Sequence, residues 1–408
     1  MSIFVFVLAT IVPLYIVFRS QKIFRGHRIK SFIASLVGIW TALYAGLVPV
    51  GTYLIDIQDL NYRGFFEVSS VLLVISYSIH IYLLKMIKVR DIDFAQIGFR
   101  NSFIFLLLSA LFALAAPNIF LSPYLRSLVI LPGAALLYTL SATSAKRLAS
   151  VAFHALAFFV AFQAGTIIDS KEALVVFLVG PILFAHIFHN RGIRVKNLFF
   201  AIILSIVGGF LFIVAQPLVT LSRAGNHIDL IQVISSVPDN FQQISEISLD
   251  RAFVLDALAR TVNNEFSVTP NRPSHPAWTL TGWIFSITPE LFTRPAHARE
   301  ALFLTGYVTS TTEVNIAVTY LGSLLWSYSI AGLLPSLFLF WMFFLIFLQF
   351  GCRLGSNAAL LFVFSSGFSI LRLERLADVV LSSVFMGLVL SVIIFFLQQS
   401  LAAFSKCR

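Results

Sequence analysis

Apolar runs of about 20 residues recur along this chain, and each is long enough to cross the hydrocarbon of a bilayer as a helix. No water is available there to satisfy backbone N–H and C=O groups, so such runs are expected to fold as spanning helices. Eleven runs are legible, at 2–18, 31–55, 66–84, 102–121, 127–144, 149–168, 173–190, 198–217, 325–349, 357–371 and 379–398. The expected class is an all-α polytopic membrane protein with about eleven transmembrane helices. Composition agrees: 59% of the 408 residues are hydrophobic and 11% are charged, more apolar surface than a soluble globule uses. The first run has no basic residue before it and no small-residue cleavage site. It is read as a retained span, not a signal peptide.

The segments between runs carry the orientation. "RSQKIFRGHRIK", "KMIKVRDIDFAQIGFR", "AKR", "NRGIRVK", "GCRLG" and the C-terminal "SKCR" hold 17 of the 28 Lys and Arg residues. The alternate segments, "DIQDLNYRG", "SPYLR", "IIDSKE" and "LRLERLAD", carry fewer cations per segment and more acids. The positive-inside bias then puts the N-terminus outside and the C-terminus in the cytoplasm, and an odd number of spans, which sets the termini on opposite sides, agrees. The net charge of +10 is dealt out in these small groups rather than gathered into a patch, so no nucleic-acid partner is expected. Cys352 and Cys407 are far apart and in no metal-ligand spacing.

One connection breaks the rhythm. Residues 217–324 form a large external loop within a single integral membrane domain, with proline-rich turns and stretches that read as short helices. A long loop on a compact domain is usually functional. In "LDRAFVLDALARTV", Val254, Leu255, Leu258, Ala259 and Val262 fall on one helical face, with Arg251 in the middle of it. Arg260 lies on the opposite side, one turn after Asp256, and a solvated ion pair accounts for it. A cation on an apolar stripe must snorkel or meet an anion, so Arg251 is a candidate anion ligand. The loop holds Arg223, Arg251, Arg260, Arg272, Arg294 and Arg299 and, between 217 and 311, no lysine. Guanidinium forks grip phosphate oxygens bidentately, so this points to a phosphate or diphosphate. Arginine outnumbers lysine throughout the chain as well, 20 to 8.

Other candidates each have a plain alternative. His275, in "NRPSHPAW", is a possible general base or simply a loop residue. Trp278 and Trp283 suit stacking on sugar rings or an interfacial belt. Glu313 and Asn315 lie in "STTEVNIAVTYLG", where the chain turns back towards the membrane. The carboxylate there is a candidate proton acceptor, or a helix-capping group after Thr311. Asp91 and Asp93 have a DxD spacing, but nothing near them completes a metal site. His80, His154 and His186 are the ionisable groups in or near the middles of spans two to eight. Proton-coupled transporters usually keep carboxylates there. No phosphate-binding glycine loop, cofactor motif or metal cluster is present in the sequence.

The layout resembles the Wzy-type O-antigen and oligosaccharide repeat-unit polymerases of bacterial inner membranes, which carry a large periplasmic loop before their last few spans. "LDRAFVLDALARTVNNEF" looks like the Arg-led helix early in that loop. "TTEVNIAVTYLGSLLWSYSIAGLLPSLFLF" looks like its return to the membrane. The return often reads Y-x-x-x-G-x-x-G in the family; here Tyr320 is followed by Gly322, and Ser327 stands where a second glycine is expected. The resemblance implies metal-independent glycosyl transfer without a cofactor at the periplasmic face. Its substrates would be undecaprenyl-diphosphate-linked oligosaccharides, with membrane lipids and a chain-length regulator protein as further partners. It would make Arg251, Arg260 and Arg272 ligands of the diphosphate, and Asn315, Tyr320 and Trp278 contacts of the saccharide. Glu313 or His275 would be the base.

An O-antigen ligase shares this layout, and His275 suits it. A flippase or transporter of lipid-linked oligosaccharide is the reading from another class; the single long loop and the lack of mid-span carboxylates weigh against it. A non-catalytic scaffold has nothing in its favour. The orientation generates the first prediction. Reporter fusions near residues 95 and 193 are expected to register cytoplasm, and one near residue 240 the periplasm. A cytoplasmic signal at 240 would invert the functional reading.

Overall fold

The computed structural model describes residues 2–47, 49, 63–91, 257–263, 265, 276–287, 319–370, 373 and 376–406. Among them are helices and turns and no strand. The five runs expected between 102 and 217 lie outside the described residues, as do Arg251, Arg272, His275, Glu313 and Asn315. The helices are α1 (Ser2–Ile23), α2 (Arg28–Ala42, continued by a π-helical turn Leu43–Leu47) and α3 (Arg63–Met86). They are followed by the short α4 (Trp278–Thr281, continued by a 3-10 turn Gly282–Ile287), then α5 (Tyr320–Gly351), α6 (Ser356–Ile370) and α7 (Ala377–Lys406). Residues 257–263 form a further short helical stretch.

Four segments are long and apolar enough to cross a membrane: Ile3–Ile23, Arg28–Leu47, Phe65–Met86 and Tyr320–Gly351. Their outer faces are as apolar as their inner ones. On α1, Phe4, Tyr15 and Phe18 are at least 60% exposed, and on α5 Leu334, Phe338 and Leu339 face outwards while Leu337, Phe340, Trp341 and Phe344 are buried. Such exposed apolar surface suits hydrocarbon as solvent, not water.

The chain divides into two compact units. The first comprises Met1–Arg90, Ser248–Arg353 and Ser369–Val392; the second comprises Asp91–Ile247, Leu354–Phe368 and Ile393–Arg408. In the second unit, Gly355 at the foot of α6 lies so close to α7 that an added Cβ would meet the Phe395 ring at 3.5 Å.

The first unit opens with a tight helical hairpin. The expected loop 19–30 shrinks to a four-residue turn, because α1 runs on to Ile23 and α2 starts at Arg28. Arg25 and Gly26 both take the left-handed conformation (φ 53° and 79°), and the Gly26 N–H closes on the Gln21 carbonyl at 2.7 Å. The two helices approach closely at glycines. A Cβ on Gly38 would stand 2.6 Å from a Val17 methyl, and one on Gly46 would run into the Thr10 side chain. Small residues that admit a neighbouring backbone are the usual means of packing helices in lipid, where the hydrophobic effect gives no drive. Helix α3 returns antiparallel to α2: Tyr77 Oη donates to the Ala34 carbonyl at 3.0 Å, and Lys30 Nζ to that of Ile87 at 2.6 Å.

Helix α5 departs most from the sequence reading. A straight helix would separate Tyr320 from Trp341 by ~30 Å. Their rings lie 5.7 Å apart, and Tyr320 stacks on Phe340 at 4.9 Å and 20°. The chain therefore doubles back. Ser329, at φ 61° and ψ 174°, makes the reversal between an arm 320–328 and an arm 330–351. The bare Gly332 lets the second arm start against Tyr328: a Cβ there would be 3.0 Å from that of Tyr328. Only the second arm is long enough to cross a bilayer by itself, and the reversal breaks the run expected from 325 to 349 near its start. Contacts from Ser76 to Trp341 and from His80 to Trp341 and Phe344 advance together along α3 and this arm, so the two run parallel. If both cross the bilayer, an odd number of crossings separates them, a parity that the five intervening runs of the sequence satisfy.

Because the arm 320–328 starts level with Ser76, midway along α3, its first N–H groups need partners inside the bundle. Thr319 Oγ1 accepts from Gly322 N at 3.1 Å, the Leu373 carbonyl from Tyr320 N at 3.1 Å, and Ser323 Oγ from Ala377 N at 3.0 Å. The α6–α7 turn is thereby tied to the foot of the arm.

The doubled-back arm predicts energetic coupling between residues twenty positions apart. Replacing Tyr320 and Phe340 by alanine, singly and together, should show a coupling of ~0.5–1.5 kcal/mol in thermal or denaturant unfolding of the detergent-solubilised protein. Additive effects would mean the helix is straight.

Candidate functional site

A polar seam lies between α3 and α5. Ser69, Ser76 and His80 fall on one face of α3 at spacings of seven and four, with one face repeating about every seven residues. All three are buried. Ser76 Oγ accepts from Trp341 Nε1 at 2.9 Å and shares a 2.7 Å hydrogen bond with Tyr320 Oη. Tyr320 is thus held at its hydroxyl by α3, at its ring by Phe340, and on another side by Trp40, at 6.1 Å. His80 packs 4.3 Å from the Trp341 ring and edge-on to Phe344.

Hydrogen bonding in the seam is uneven. Among the described residues, Trp40 Nε1, Ser69 Oγ, Ser70 Oγ and both His80 ring nitrogens are buried without a hydrogen-bond partner. A mid-span polar group that the packing does not satisfy is expensive, and such groups concentrate where a membrane protein works. The signal for the seam was present in the sequence as the serine and histidine spacing on an otherwise apolar run. It was missed because its partners, Tyr320 and Trp341, lie more than 240 residues away and meet Ser76 only through the reversal at Ser329.

The loop is attached to this core at one described stretch. Thr279 Oγ1 and Ser327 Oγ share a 2.6 Å hydrogen bond, both buried. Ser327 is the residue found where a glycine is expected, and its hydroxyl is what binds the loop to the arm. Below it, Trp283 lies against Phe347 at 4.9 Å and Phe385 at 4.7 Å. Phe347 is some fourteen residues along the second arm from the level of Ser327, roughly 20 Å. So residues 276–287 pack beside α5 and α7 rather than standing off them.

The other expected residues are distributed as follows. Tyr320 is 2% exposed, with hydroxyl and ring both engaged inside the bundle. Trp278 opens α4 half-buried. In the stretch 257–263, Leu258, Ala259 and Val262 are buried as the helical wheel expects; Ala257 and Thr261 are buried too, so the covered face is broader than a stripe. Arg260 is half-buried there. Its expected partner Asp256, and the candidates Arg251, Arg272, His275, Glu313 and Asn315, lie outside the described residues. No group of three or more His, Cys, Asp or Glu able to hold a metal ion occurs among the described residues.

Comparison with protein-family models, curated proteins and solved structures gives no match.

The unpartnered nitrogens of His80 give the seam a test. A phenylalanine keeps the ring contacts and removes two buried polar atoms, each of which costs ~1–3 kcal/mol when unsatisfied. His80→Phe is expected to unfold at or above the wild-type temperature in detergent. A fall of several degrees would show that the nitrogens are satisfied in the folded protein. Ser76→Ala should be the destabilising counterpart, since it strands Tyr320 Oη and Trp341 Nε1 together.

Proposed function

We propose that this chain is a membrane glycosyltransferase that joins lipid-diphosphate-linked oligosaccharide units into a surface polysaccharide, acting without metal from the outer face of a bacterial inner membrane. The observation that carries the proposal is the packing of the loop stretch 276–287 against α5, where Thr279 is hydrogen-bonded to Ser327 beside the reversal at Ser329. A polyprenyl-linked substrate cannot leave the bilayer. Its diphosphate must be met by groups held close to the hydrocarbon, and one stretch of the arginine-bearing loop packs against the apolar helix α5. The arginine-only loop and the family resemblance support the same chemistry.

In this reading the acceptor hydroxyl oxygen forms a bond to the anomeric carbon of the donor. The bond from that carbon to the diphosphate oxygen breaks, and the diphosphate departs on its lipid. The hydroxyl proton passes to the Glu313 carboxylate, with His275 as the alternative acceptor. Arg251, assisted by Arg260 and Arg272, neutralises the negative charge that develops on the leaving diphosphate. Trp278 and Asn315 hold saccharide. Tyr320, engaged with Ser76 and Phe340, acts as a positioning residue for the return segment that carries Glu313 and Asn315.

The test is chain growth by the full-length protein in lipid nanodiscs, given purified lipid-diphosphate-linked oligosaccharide and followed as a ladder on a gel. The wild-type chain should build a ladder. Arg251→Ala should reduce the rate about 10²-fold or more, as removal of one preorganised donor does elsewhere. Arg251→Lys should recover little, since lysine lacks the bidentate fork, and Arg260→Ala should be milder. Glu313→Gln should stop growth while His275→Ala shifts only chain length. A full ladder from Glu313→Gln with none from His275→Ala would transfer the base to His275. Transfer of whole chains onto lipid A core without elongation would make the protein a ligase.

A further inference from the structure

One end of the first unit gathers exposed cations from three separate stretches of chain. Arg19 and Lys22 come from the last turns of α1, Arg25 from the turn that follows, Lys85, Lys88 and Arg90 from the end of α3 and beyond, and Arg353 from beyond α5. The helix directions bring them together: α1 and α3 each run antiparallel to α2, and α3 runs parallel to the arm 330–351. None of these side chains makes a salt bridge to a carboxylate among the described residues, and the acid described at this end is Asp91 alone.

Two further basic residues at this end do something different. Lys30 Nζ donates to the Ile87 carbonyl at 2.6 Å, and His27 Nε2 is hydrogen-bonded to the Val89 carbonyl at 2.7 Å. They turn inward and close the open carbonyls at the end of α3, where a cation suits the helix dipole. The structural task is therefore carried by Lys30 and His27, and the exposed cations are left over from it.

The same rim exposes large apolar side chains. Phe18 is 64%, Met86 67% and Phe350 54% exposed. Arg19 lies over the Tyr15 ring at 5.8 Å and Arg353 over the Phe350 ring at 5.9 Å, so each guanidinium is steadied at the edge of an exposed aromatic. A free phosphate would meet the charge and leave this apolar rim uncovered. A phospholipid meets both, with acyl chains along Phe18, Met86 and Phe350 and its phosphate among the cations.

We propose that the end of the first unit formed by Arg19–Arg25, Lys85–Arg90 and Arg353 is a binding surface for anionic phospholipid headgroups, which form a shell around it in the folded protein. Each cation held near an anionic leaflet raises binding about fivefold. The surface is independent of the reaction proposed above, and none of its residues belongs to that machinery.

The experiment uses the full chain, purified in neutral detergent and stripped of lipid. Phosphatidylglycerol should raise its unfolding temperature and remain bound in native mass spectrometry, while phosphatidylcholine and inorganic phosphate should do neither. The triple variant Arg25→Gln, Lys88→Gln, Arg353→Gln should unfold at the wild-type temperature in detergent and bind phosphatidylglycerol at least about tenfold more weakly. The matched variant Arg25→Lys, Arg353→Lys should keep most of the binding. Should the triple variant fail to fold, the wild-type chain still decides, because its phosphatidylglycerol binding must fall steeply as salt is raised. Equal stabilisation by phosphatidylcholine, equal stabilisation by inorganic phosphate, salt-insensitive binding, or undiminished binding by the triple variant would each overturn the proposal.

Discussion

The described structure depends on one constraint, that every backbone N–H and C=O within hydrocarbon must find a partner in the protein. Regular spans such as α1 and α3 meet it internally. The arm 320–328 does not, because it begins midway along α3; its first N–H groups are met by Thr319 and by the Leu373 carbonyl, while Ser323 Oγ in turn accepts from Ala377 N at the start of α7. Once those bonds are made, the α6–α7 turn, the foot of the arm and the middle of α3 are held at one level. The Tyr320–Ser76–Trp341 contact is the side-chain counterpart of that arrangement.

This explains why polar side chains cluster where they do. A reversal inside the bundle needs donors and acceptors, and serine and threonine supply them at little cost in volume. Ser323 both donates to the Tyr320 carbonyl and accepts from Ala377 N. Ser327 meets Thr279 and so joins the inserted loop stretch to the same arm. His80 lies outside this scheme. Aromatic rings fill the space around it and nothing described satisfies its nitrogens, which sets it apart from the serines that the reversal requires.

The reversal also bears on the functional proposal. A return segment that entered as a plain span would put Tyr320 at the outer rim, exposed to a saccharide. Folded back, Tyr320 is mid-span and enclosed, and its influence on a substrate passes through the position of the chain before it. A loop stretch that runs beside α5 and α7 likewise makes the loop part of the helical core at that point. Chemistry on a lipid-borne diphosphate would then occur beside the helices rather than on a domain above them.

The membrane class and most positions of the described helices were legible in the sequence, because spanning hydrocarbon demands long apolar runs whatever their neighbours are. The expected runs at 2–18, 66–84 and 379–398 fall inside observed helices, and all but the last residue of the run 357–371 lies in α6. Orientation within those helices was legible in part: Leu258, Ala259 and Val262 are buried as their periodicity required. The reversal at Ser329 was not legible. "LLWSYSIAGLLP" is apolar enough to read as one helix, and local propensity does not register a turn whose stabilising partners, Ser76 and Leu373, come from distant parts of the chain. For the same reason the pairing of Thr279 with Ser327 and the packing of Trp283 on Phe347 and Phe385 were decided only by tertiary structure. Hydropathy reports how well each residue suits a solvent, whereas these contacts depend on which polar groups the folded chain must bring together to leave few unsatisfied.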